Sequence, residues 1–532
     1  MDSILNGFFH HADLRPERVA IHLQGRDHSY GHLAGAARQI AQTLEGLSSP
    51  EAPFVGILAE GSLTAYAGIL GTLLSGKGFA PVHPDFPFER QLMIIDAARI
   101  DVLIVGPETL DFIPALLSRG PKDLKIFYPF DDPSSDERRL RILKEHSRFH
   151  TLSPTIRSLS PSRNSTLFPG EEESLAYLLF TSGSTGAPKG VPITRKNLET
   201  YLCSMSVHLG LRPGDRVSQT FKLAFDLSIH DILLTLSSGA TLYPLSKGDR
   251  LAPGRFICTQ GLTHFFCVPT MAMTMHRFRQ LKPESLPSLR HTLFCGEALP
   301  TRTAQQWALA APNSILENLY GPTEATIAFT KHRINIASEK GQTVPLGSPL
   351  PGQSIRVLRP DLQVAAPGEV GELFLSGTQL TPGYWNAPGL TEERFLTFRG
   401  DSQRWYRTGD LASLDDQGCL HFHGRLDHQV QIGGHRVELD EVDHLLRRYC
   451  GHDLVITIAQ EQGPDQPPRL VTFVASRSPL DTDALLQHCR EMLPTYMVPS
   501  DLVILPELPT NTSGKIDRNA LSIEVFEDGA TS

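Results

Sequence analysis

The chain has 532 residues, which is more than one hydrophobic core usually serves, so two or more domains are expected. Hydrophobic residues make up 40% of the sequence and charged residues 20%, which is the balance of an ordinary soluble globular protein. The formal net charge of −9 argues against a nucleic-acid-binding protein, because such proteins neutralise phosphates with Lys and Arg.

The sequence also gives expectations about compartment. The first eleven residues have no basic region ahead of an apolar core, so no secretory signal is expected. No run of eighteen apolar residues occurs, so no membrane span is expected. The seven cysteines are scattered without C-x-x-C spacing, which favours reduced thiols over disulfides or zinc. We therefore expect a cytoplasmic protein; the oligomeric state is left open, with a monomer expected.

The N-terminal quarter alternates strand-like and helix-like segments. Residues 55–58 are typical of a buried strand, 65–74 of a helix, and 104–106 of the end of another strand. Such alternation predicts a largely parallel α/β sheet. Residues 131–173 are charged and rich in Ser, Pro and Arg, which predicts a long surface excursion.

Residues 177–191 read Y-L-L-F-T-S-G-S-T-G-A-P-K-G-V. Small hydroxyl residues and glycines after an apolar strand let backbone N–H groups approach an anion closely. This composition suits a polyphosphate, although Gly190 after the lysine excludes a Walker A loop. A Ser/Gly-rich turn between two strands is the alternative. The candidate phosphate-binding residues are Thr181, Ser182, Gly183, Ser184, Thr185 and Lys189.

With the motifs that follow it in order, this segment resembles the phosphate-binding loop of the adenylate-forming (ANL) enzymes. These comprise acyl-CoA synthetases, luciferases and the adenylation domains of nonribosomal peptide synthetases. The resemblance covers almost the whole chain. It implies an α/β fold with a large N-terminal region over residues 1–424, containing parallel sheets and a β-rich part. A small mobile α+β domain would follow over residues 425–532, and ATP and Mg²⁺ would be the cofactors.

Residues 221–231 read F-K-L-A-F-D-L-S-I-H-D. Asp226 precedes the apolar run 229–236, where an acid either caps a helix N-terminus or pairs with a cationic ligand. The resemblance favours the second role. F-D-x-S is the signature of the amino-acid-activating branch of the family, whose Asp holds the α-amino group of the substrate.

Three later motifs carry further implied roles. N-L-Y-G-P-T-E-A at 318–325 resembles the family's Y-G-x-T-E element, which implies that Tyr320 stacks on adenine and Thr323 binds phosphate. Glu324 would then hold Mg²⁺, which prefers hard oxygen ligands. G-Y-W at 383–385 resembles the family's β-rich stretch, and in Y-R-T-G-D-L at 406–411 Asp410 would bind both ribose hydroxyls.

The C-terminal motifs follow a domain boundary at G-R-L-D-H-Q-V, residues 424–430. The resemblance implies that Arg425 reaches the ribose or a phosphate and that Asp427 is the hinge. Lys515, in T-S-G-K-I-D-R, resembles the adenylation lysine. The sequence departs from the family pattern V-K-I-R-G-x-R-[IV]-E, because Gln431 and Gly433 replace two basic residues. This departure concerns carrier docking and thioester formation, not adenylation.

The resemblance also implies the lining of an amino-acid pocket. The lining is apolar and carries no fixed charge beyond the amino-group Asp, which disfavours Asp, Glu, Lys and Arg as substrates. Its pattern resembles that of L-prolyl ligases acting on a carrier protein, so proline or a close cyclic analogue is expected. His230 could favour Thr, Ser or Cys instead, and D-alanine is a further alternative. The lining residues are Asp226, Leu227, His230, Phe266, Leu293, Cys295, Leu319, Ile327 and Ala328.

Two motifs of larger synthetases do not occur in the sequence: G-G-x-S, which carries a phosphopantetheine arm, and H-H-x-x-x-D-G. We therefore expect a stand-alone enzyme of secondary-metabolite biosynthesis that forms an aminoacyl-adenylate and loads an acyl or peptidyl carrier protein in trans. The alternatives are a D-alanine–carrier protein ligase, an acyl- or aryl-CoA ligase, and a catalytically silent binding module of the same fold.

Overall fold

The computed structural model describes residues 3–130, 146–151, 173–183, 188–463, 468–477, 480–509, 518 and 520–521. The chain divides into two compact units. The first comprises Met1–Pro84, Gln91–Phe180 and Gly190–Gly424, and the second comprises Asp85–Arg90, Thr181–Lys189 and Arg425–Ser532. The predicted domains 1–424 and 425–532 stay a prediction.

The first unit contains a nine-stranded sheet whose neighbouring strands from β14 to β1 are parallel, with antiparallel pairs at both edges. Parallel strands place their carboxyl ends at one edge of a sheet, where ligands commonly bind. In spatial order the strands are β16 (Ser348–Pro349), β15 (Thr330–Arg333), β14 (Ile315–Tyr320), β13 (His291–Phe294), β12 (His264–Cys267), β10 (Arg216–Gln219), β11 (Thr241–Pro244), β1 (Val19–Leu23) and β2 (Arg26–Ser29).

A seven-stranded sheet contains the strands predicted in the N-terminal quarter, and its pairs from β7 to β8 are parallel. Every residue of β3 and β5 is buried, as the continuous apolar runs of a sheet covered on both faces require. The order is β7 (Phe149–Thr151), β6 (Lys125–Tyr128), β5 (Val102–Val105), β3 (Phe54–Leu58), β4 (Gly78–Pro81), β8 (Leu175–Thr181) and β9 (Lys189–Thr194).

In one described part of residues 131–173, the structure differs from the predicted surface excursion. Residues 149–151 form β7, which pairs in parallel with β6, and the Phe149 side chain is buried there. A short strand with one inward-facing aromatic residue is enough to extend a sheet edge. The sequence did not indicate this strand, because the residues around it are polar. Residues 131–145 and 152–172 lie outside the described part of the chain.

A β-rich part completes the first unit, in agreement with the prediction. Its strands pair in antiparallel fashion from β17 to β19. They are β17 (Gln353–Leu358), β18 (Gly371–Gly377), β20 (Arg404–Leu414) and β19 (Phe395–Thr397), with β21 (Leu420–Arg425) paired to β20.

Helices up to residue 394 begin and end at recognisable signals. Thr194 and Asn197 form a capping box before α6, and Gly210, with φ of +56°, ends that helix in the left-handed conformation. The α-helices are α1 (Ser3–Leu14), α2 (Tyr30–Leu47), α3 (Leu63–Leu74), α4 (Phe88–Ala97), α5 (Ile113–Arg119), α6 (Arg195–Leu209), α7 (Leu227–Ser237), α8 (Pro253–Gln260), α9 (Pro269–Arg277), α10 (Thr301–Ala310) and α11 (Pro388–Arg394). The 3₁₀ helices of the described chain are Pro107–Phe112, Asp249–Leu251, Thr323–Ala325 and Thr495–Met497.

The second unit has its own core, in which Val437, Val442 and Leu446 are fully buried. The substituted position Gly433 lies with Gly434 in the turn between β22 and β23, and both have positive φ, as a two-residue hairpin turn requires. The elements are β22 (Gln429–Ile432), β23 (His435–Glu438), α12 (Leu439–Cys450), β24 (Val455–Gln460), β25 (Arg469–Ala475), α13 (Thr482–Met492) and β26 (Asp501–Leu505).

The mixed α/β fold with parallel sheets and a β-rich part is thus confirmed. Among the described residues, no helix combines the length and apolar character that crossing a membrane requires.

Close packing of α2 against α3 gives a test of the fold. A Cβ atom at Gly71 would lie 2.7 Å from Ile40 Cγ2 and 2.8 Å from the Ala37 carbonyl oxygen. We expect Gly71→Ala to lower the free energy of unfolding by about 1–3 kcal/mol through overpacking, although alanine favours helices.

The matched control is Gly46→Ala, also in a helix, where an added Cβ meets no atom within 4 Å. This variant should gain about 0.5–1 kcal/mol from helix propensity. Denaturant unfolding of both variants measures the difference, and a stabilised Gly71→Ala variant would contradict the packing described for this helix pair.

Candidate functional site

The described part of the predicted phosphate loop binds carboxylates within the second unit. Lys189 Nζ lies 3.0 Å from Glu438 Oε1, and both side chains are 8% exposed. The Ser182 hydroxyl donates to the Arg436 carbonyl oxygen at 2.8 Å and accepts from the Glu438 N–H at 3.1 Å. Ser184 and Thr185 lie outside the described residues.

A second carboxylate completes this arrangement. The Gly183 N–H donates to Glu441 Oε2 at 3.0 Å, and Arg90 donates to Oε1 of the same carboxylate. Gly183 and Lys189, which were predicted to bind phosphate oxygens, therefore bind carboxylate oxygens here, whereas Ser182 binds main-chain groups. Such a loop can hold anions, because backbone N–H groups and a lysine converge on it.

Asp226 occupies the N-cap position of α7 but does not cap it. Its backbone is helical (φ −61°, ψ −26°), and its side chain makes no capping hydrogen bond. Oδ2 is buried and has no hydrogen-bond partner among the residues that the structure describes. Burial raises the pKa of Asp226 to about 7, although the Thr323 hydroxyl and two backbone N–H groups favour the charged form.

Glu324 is fully buried in the 3₁₀ helix Thr323–Ala325. Its Oε1 accepts a hydrogen bond from the Tyr384 hydroxyl at 2.8 Å, and Tyr384 lies 3.5 Å from the Tyr406 hydroxyl. The G-Y-W motif was recognised in the sequence, but no role was predicted for Tyr384. A carboxylate held in one orientation can ligate a hard cation.

A strained turn follows Glu324 and leads into the predicted pocket. Thr326 and Ile327 both have positive φ, at +57° and +72°, which is costly for β-branched residues. The buried Gln379 side chain donates to the carbonyl oxygens of Ala325 and Ala328, the second at 2.8 Å. Gln379 thus anchors the turn from a distant segment, and no local pattern in the sequence reveals this.

Tyr320 and Asp410, the predicted adenine and ribose residues, contact each other. The Tyr320 hydroxyl donates to Asp410 Oδ2. Asp410 is 5% exposed, and its N–H donates to the Thr408 hydroxyl at 2.9 Å, which fixes the backbone beside it. Two groups predicted to serve one nucleoside therefore lie together.

The predicted pocket residues are also brought together. Phe266 and Leu293 are register partners on the parallel strands β12 and β13, and the others follow these strands or neighbouring elements. His230 is buried beside Phe266, with ring centroids 4.8 Å apart. Burial, and then the charge of His264, lowers the pKa of His230 to about 3, so the ring is neutral. The apolar members share one buried cluster: Leu227, Phe266, Leu293, Cys295, Leu319, Ile327 and Ala328.

Arg425 and Asp427 form a bidentate pair, at 2.7 Å from Nε to Oδ1 and 2.9 Å from Nη2 to Oδ2. Burial alone would raise the pKa of Asp427, but the hydrogen bonds and charge of Arg425 outweigh it and lower that pKa. Lys515 lies outside the described residues.

The raised pKa of the buried Asp226 carboxylate gives a prediction about stability. Its ordinary pKa of 3.8 is raised to about 7 in the folded state, so folding opposes ionisation, and wild-type stability falls as the pH rises between these values. We expect Asp226→Asn to gain stability relative to wild type, by about 2–3 kcal/mol more at pH 8 than at pH 5.

Thermal and denaturant unfolding without ligand at both pH values measures this gain. Asp361→Asn, an exposed acid of the same unit, is the control and should show no such pH dependence. A helix-capping Asp226 would behave in the opposite way, since its loss would destabilise the protein at pH 8.

The chain is similar in sequence to known proteins of one family. Residues 8–385 match the family described as AMP-binding enzyme. The dimodular nonribosomal peptide synthase of Bacillus subtilis (strain 168) is 33% identical over 98% of this chain and 21% of its own length. Tyrocidine synthase 2 of Brevibacillus parabrevis is 31% identical over 98% of this chain and 13% of its own length. The chain thus spans about a fifth or less of these two relatives.

A solved structure matches over nearly its full length. The Vibrio cholerae adenylation domain AlmE, crystallised in complex with glycyl-adenosine-5′-phosphate, is 30% identical, with 98% of each chain covered and a TM-score of 0.90. The chain therefore belongs to the family of AMP-binding enzymes, the AMP-forming ligases whose phosphate loop and later motifs the sequence resembles.

Proposed function

We propose that the protein uses ATP to activate a small uncharged amino acid as its adenylate. It then passes the aminoacyl group to the phosphopantetheine thiol of a carrier protein in trans. The observation that carries the proposal is the buried Asp226 carboxylate, whose Oδ2 has no hydrogen-bond partner among the described residues, beside a predicted lining that is mostly apolar. The α-ammonium group of an amino acid supplies that partner, and charge pairing restores the ionised form of the acid.

The reaction needs positioning more than covalent catalysis. A carboxylate oxygen of the amino acid attacks the α-phosphorus of ATP, the bond from that phosphorus to the bridging oxygen breaks, and pyrophosphate leaves with the electron pair. Repulsion between the two anions is the main barrier to their approach, so cationic and N–H donors that hold them together accelerate the step. Lys515 is the proposed bridge between the carboxylate and the α-phosphate.

The other groups divide between the phosphates and the nucleoside. Ser182, Gly183 and Lys189 would bind the terminal phosphates, with Ser184 and Thr185 completing the loop. Tyr320 would stack on adenine and Asp410 would bind the ribose. Arg425 would reach the ribose or a phosphate.

Among the described residues, Glu324 is suited to bind Mg²⁺. Glu324 is a buried carboxylate with fixed orientation, which is the type of oxygen ligand that Mg²⁺ prefers, and Thr323 beside it would bind phosphate. When bound, the ion would neutralise charge on the phosphates.

Two amino acids are the leading substrates. The lining pattern favours proline, whereas the AlmE structure, with its glycyl-adenylate, supports glycine. D-Alanine would fit the same small pocket. The carrier is supported by the relatives, which include nonribosomal peptide synthases.

Exchange of labelled pyrophosphate into ATP, over a panel of the twenty amino acids with D-alanine, tests the proposal. We expect exchange with glycine, proline or D-alanine. Asp226→Asn should lower kcat/KM for the preferred amino acid by about 30- to 5,000-fold, because a buried ammonium without its partner costs roughly 2–5 kcal/mol.

The control substrate is the matching carboxylic acid without nitrogen, for which the variant should lose far less. No exchange with any amino acid by folded protein would favour the silent binding module. Loading of coenzyme A, with no loading of a separately supplied holo carrier protein, would place the enzyme among the CoA ligases.

The Lys189–Glu438 pair gives an independent prediction. The terminal phosphates of ATP and the Glu438 carboxylate compete for the same ammonium group. Glu438→Gln removes the competing charge and should lower the KM for ATP in the exchange assay by roughly 3- to 10-fold, the range expected of a partly buried ion pair.

Asp501→Asn makes the same charge change in the same unit, at a half-exposed pair with Arg469, and should leave the KM for ATP unchanged. A higher KM for ATP in Glu438→Gln would show that Glu438 supports nucleotide binding.

A further inference from the structure

A group of metal-binding side chains lies in the hairpin that joins β20 to β21, in the first unit. Residues 415–421 read D-D-Q-G-C-L-H. Asp415, Cys419 and His421 are each half-buried, and each offers one ligand atom within 4.8 Å of the other two. None of the roles proposed for adenylation uses these three side chains.

The turn of the hairpin holds the Asp415 carboxylate in one orientation. Its Oδ1 accepts hydrogen bonds from the N–H groups of Gln417 and Cys419, at 3.0 and 2.8 Å. Its Oδ2 lies 3.2 Å from His421 Nε2. One carboxylate oxygen therefore fixes the turn, and the other lies beside the imidazole, within reach of the Cys419 thiol.

A second histidine lies beside the thiol. His332 on β15 places its Nδ1 3.9 Å from Cys419 Sγ. Its Nε2 lies 2.8 Å from Oε1 of Glu339, whose side chain is 8% exposed. A carboxylate accepts hydrogen bonds, so in the neutral ring Nε2 carries the proton and Nδ1 presents its lone pair to the sulfur. A carboxylate that orients a histidine in this way is the usual neighbour of a metal-binding imidazole.

The types of ligand atom select the class of metal. Thiolate, imidazole and carboxylate together suit zinc, whereas Mg²⁺ and Ca²⁺ prefer oxygen ligands alone. Zinc–ligand bonds of about 2.0–2.3 Å place tetrahedral ligands roughly 3.3–3.8 Å apart. The separations of 3.2 Å between Asp415 and His421 and of 3.9 Å between Cys419 and His332 are close to that range.

We propose that Asp415, Cys419 and His421 bind a zinc ion, with His332 as the fourth ligand. The thiol releases its proton to solvent as the sulfur–zinc bond forms, and no electrons are transferred. The ion ties β15 to the hairpin, so its role is structural, and the inference is independent of the proposed function. The sequence expectation against zinc considered C-x-x-C spacing, which this mixed set of ligands does not follow.

Titration of the metal-free full chain with zinc tests the site, using protein without a histidine tag and with Mg²⁺ in excess to occupy oxygen-rich sites. We expect one zinc ion to bind per chain and to raise the melting temperature, because an ion that binds only the folded state stabilises it. Cobalt(II) in place of zinc reports the ligands. We expect a thiolate-to-cobalt charge-transfer band together with the intense visible bands of a tetrahedral site.

Variants identify the ligands. Cys419→Ser and His421→Ala should each weaken zinc binding by more than about 100-fold, since loss of an orienting partner alone costs about 10- to 100-fold. Cys419→Ser should also abolish the charge-transfer band. His332→Ala, and Glu339→Ala through the orientation of His332, should weaken binding by about 10- to 100-fold.

Two matched controls should bind zinc as the wild type does. Cys203→Ser removes an exposed thiol on α6. His423→Ala removes the histidine two residues beyond His421 on β21, whose Nε2 contacts the Ser413 hydroxyl at 2.8 Å. Circular dichroism of each metal-free variant separates loss of binding from loss of fold.

The outcomes are distinct. Absence of zinc binding, absence of the charge-transfer band, or wild-type affinity in Cys419→Ser would overturn the inference. Wild-type affinity in folded His332→Ala would contradict the four-ligand site. If His421→Ala fails to fold, Cys419→Ser and the cobalt spectrum still decide. Pyrophosphate exchange should persist in Cys419→Ser, so a failure of the zinc site leaves the proposed function standing.

Discussion

The constraint on which the candidate site depends is that a buried charge needs a partner. Most charged groups of the site satisfy it within the protein: Lys189 pairs with Glu438, Arg90 with Glu441, and Arg425 with Asp427. Asp226 Oδ2 has no hydrogen-bond partner among the described residues, and burial raises the pKa of Asp226 to about 7. The buried charges of the candidate site are therefore of two kinds: those paired within the protein, and the acid whose charged form is disfavoured by burial.

Backbone strain is the second feature of the candidate site. The consecutive positive φ angles at Thr326 and Ile327 cost free energy that the local sequence does not recover. Gln379 compensates by hydrogen-bonding the carbonyl groups on both sides of them. The turn joins Glu324, the predicted metal ligand, to Ile327 and Ala328 of the predicted pocket, and a single glutamine anchors the segment between them.

Local patterns predicted much of the fold. The predicted strand 55–58, helix 65–74 and strand end 104–106 correspond to β3, α3 and β5, with boundaries that agree within two residues. The apolar residues that motif order assigns to the pocket lie in one buried cluster, and their role as a substrate lining stays a prediction. The sequence could not reveal the contacts of Gln379 or Glu438. Their partners are distant in the chain, as in the pair of Gln379 and Ala325, and their own neighbourhoods carry no unusual residue type.

The local sequence around Asp226 predicts its position at a helix N-terminus but not the contacts of its side chain. An acid before an apolar helix is expected to cap it, and Asp226 does stand at the N-cap position of α7. Its backbone angles are helical, its side chain makes no capping hydrogen bond, and the carboxylate lies buried. The choice between a cap and a cation partner depended on side-chain geometry, which spacing alone does not encode.

The side chains predicted to line the pocket also belong to the core, which would couple substrate specificity to stability. Phe266, Leu293 and Leu319 belong to the cluster that also packs β3, α2 and α3. A substitution that enlarges the pocket therefore also opens a cavity in the main core, at a cost of about 2–5 kcal/mol for a large-to-small change. A bulkier substrate that fills the new space recovers part of that loss only while it is bound. Changes of specificity at the predicted pocket would thus be constrained by the stability of the ligand-free state.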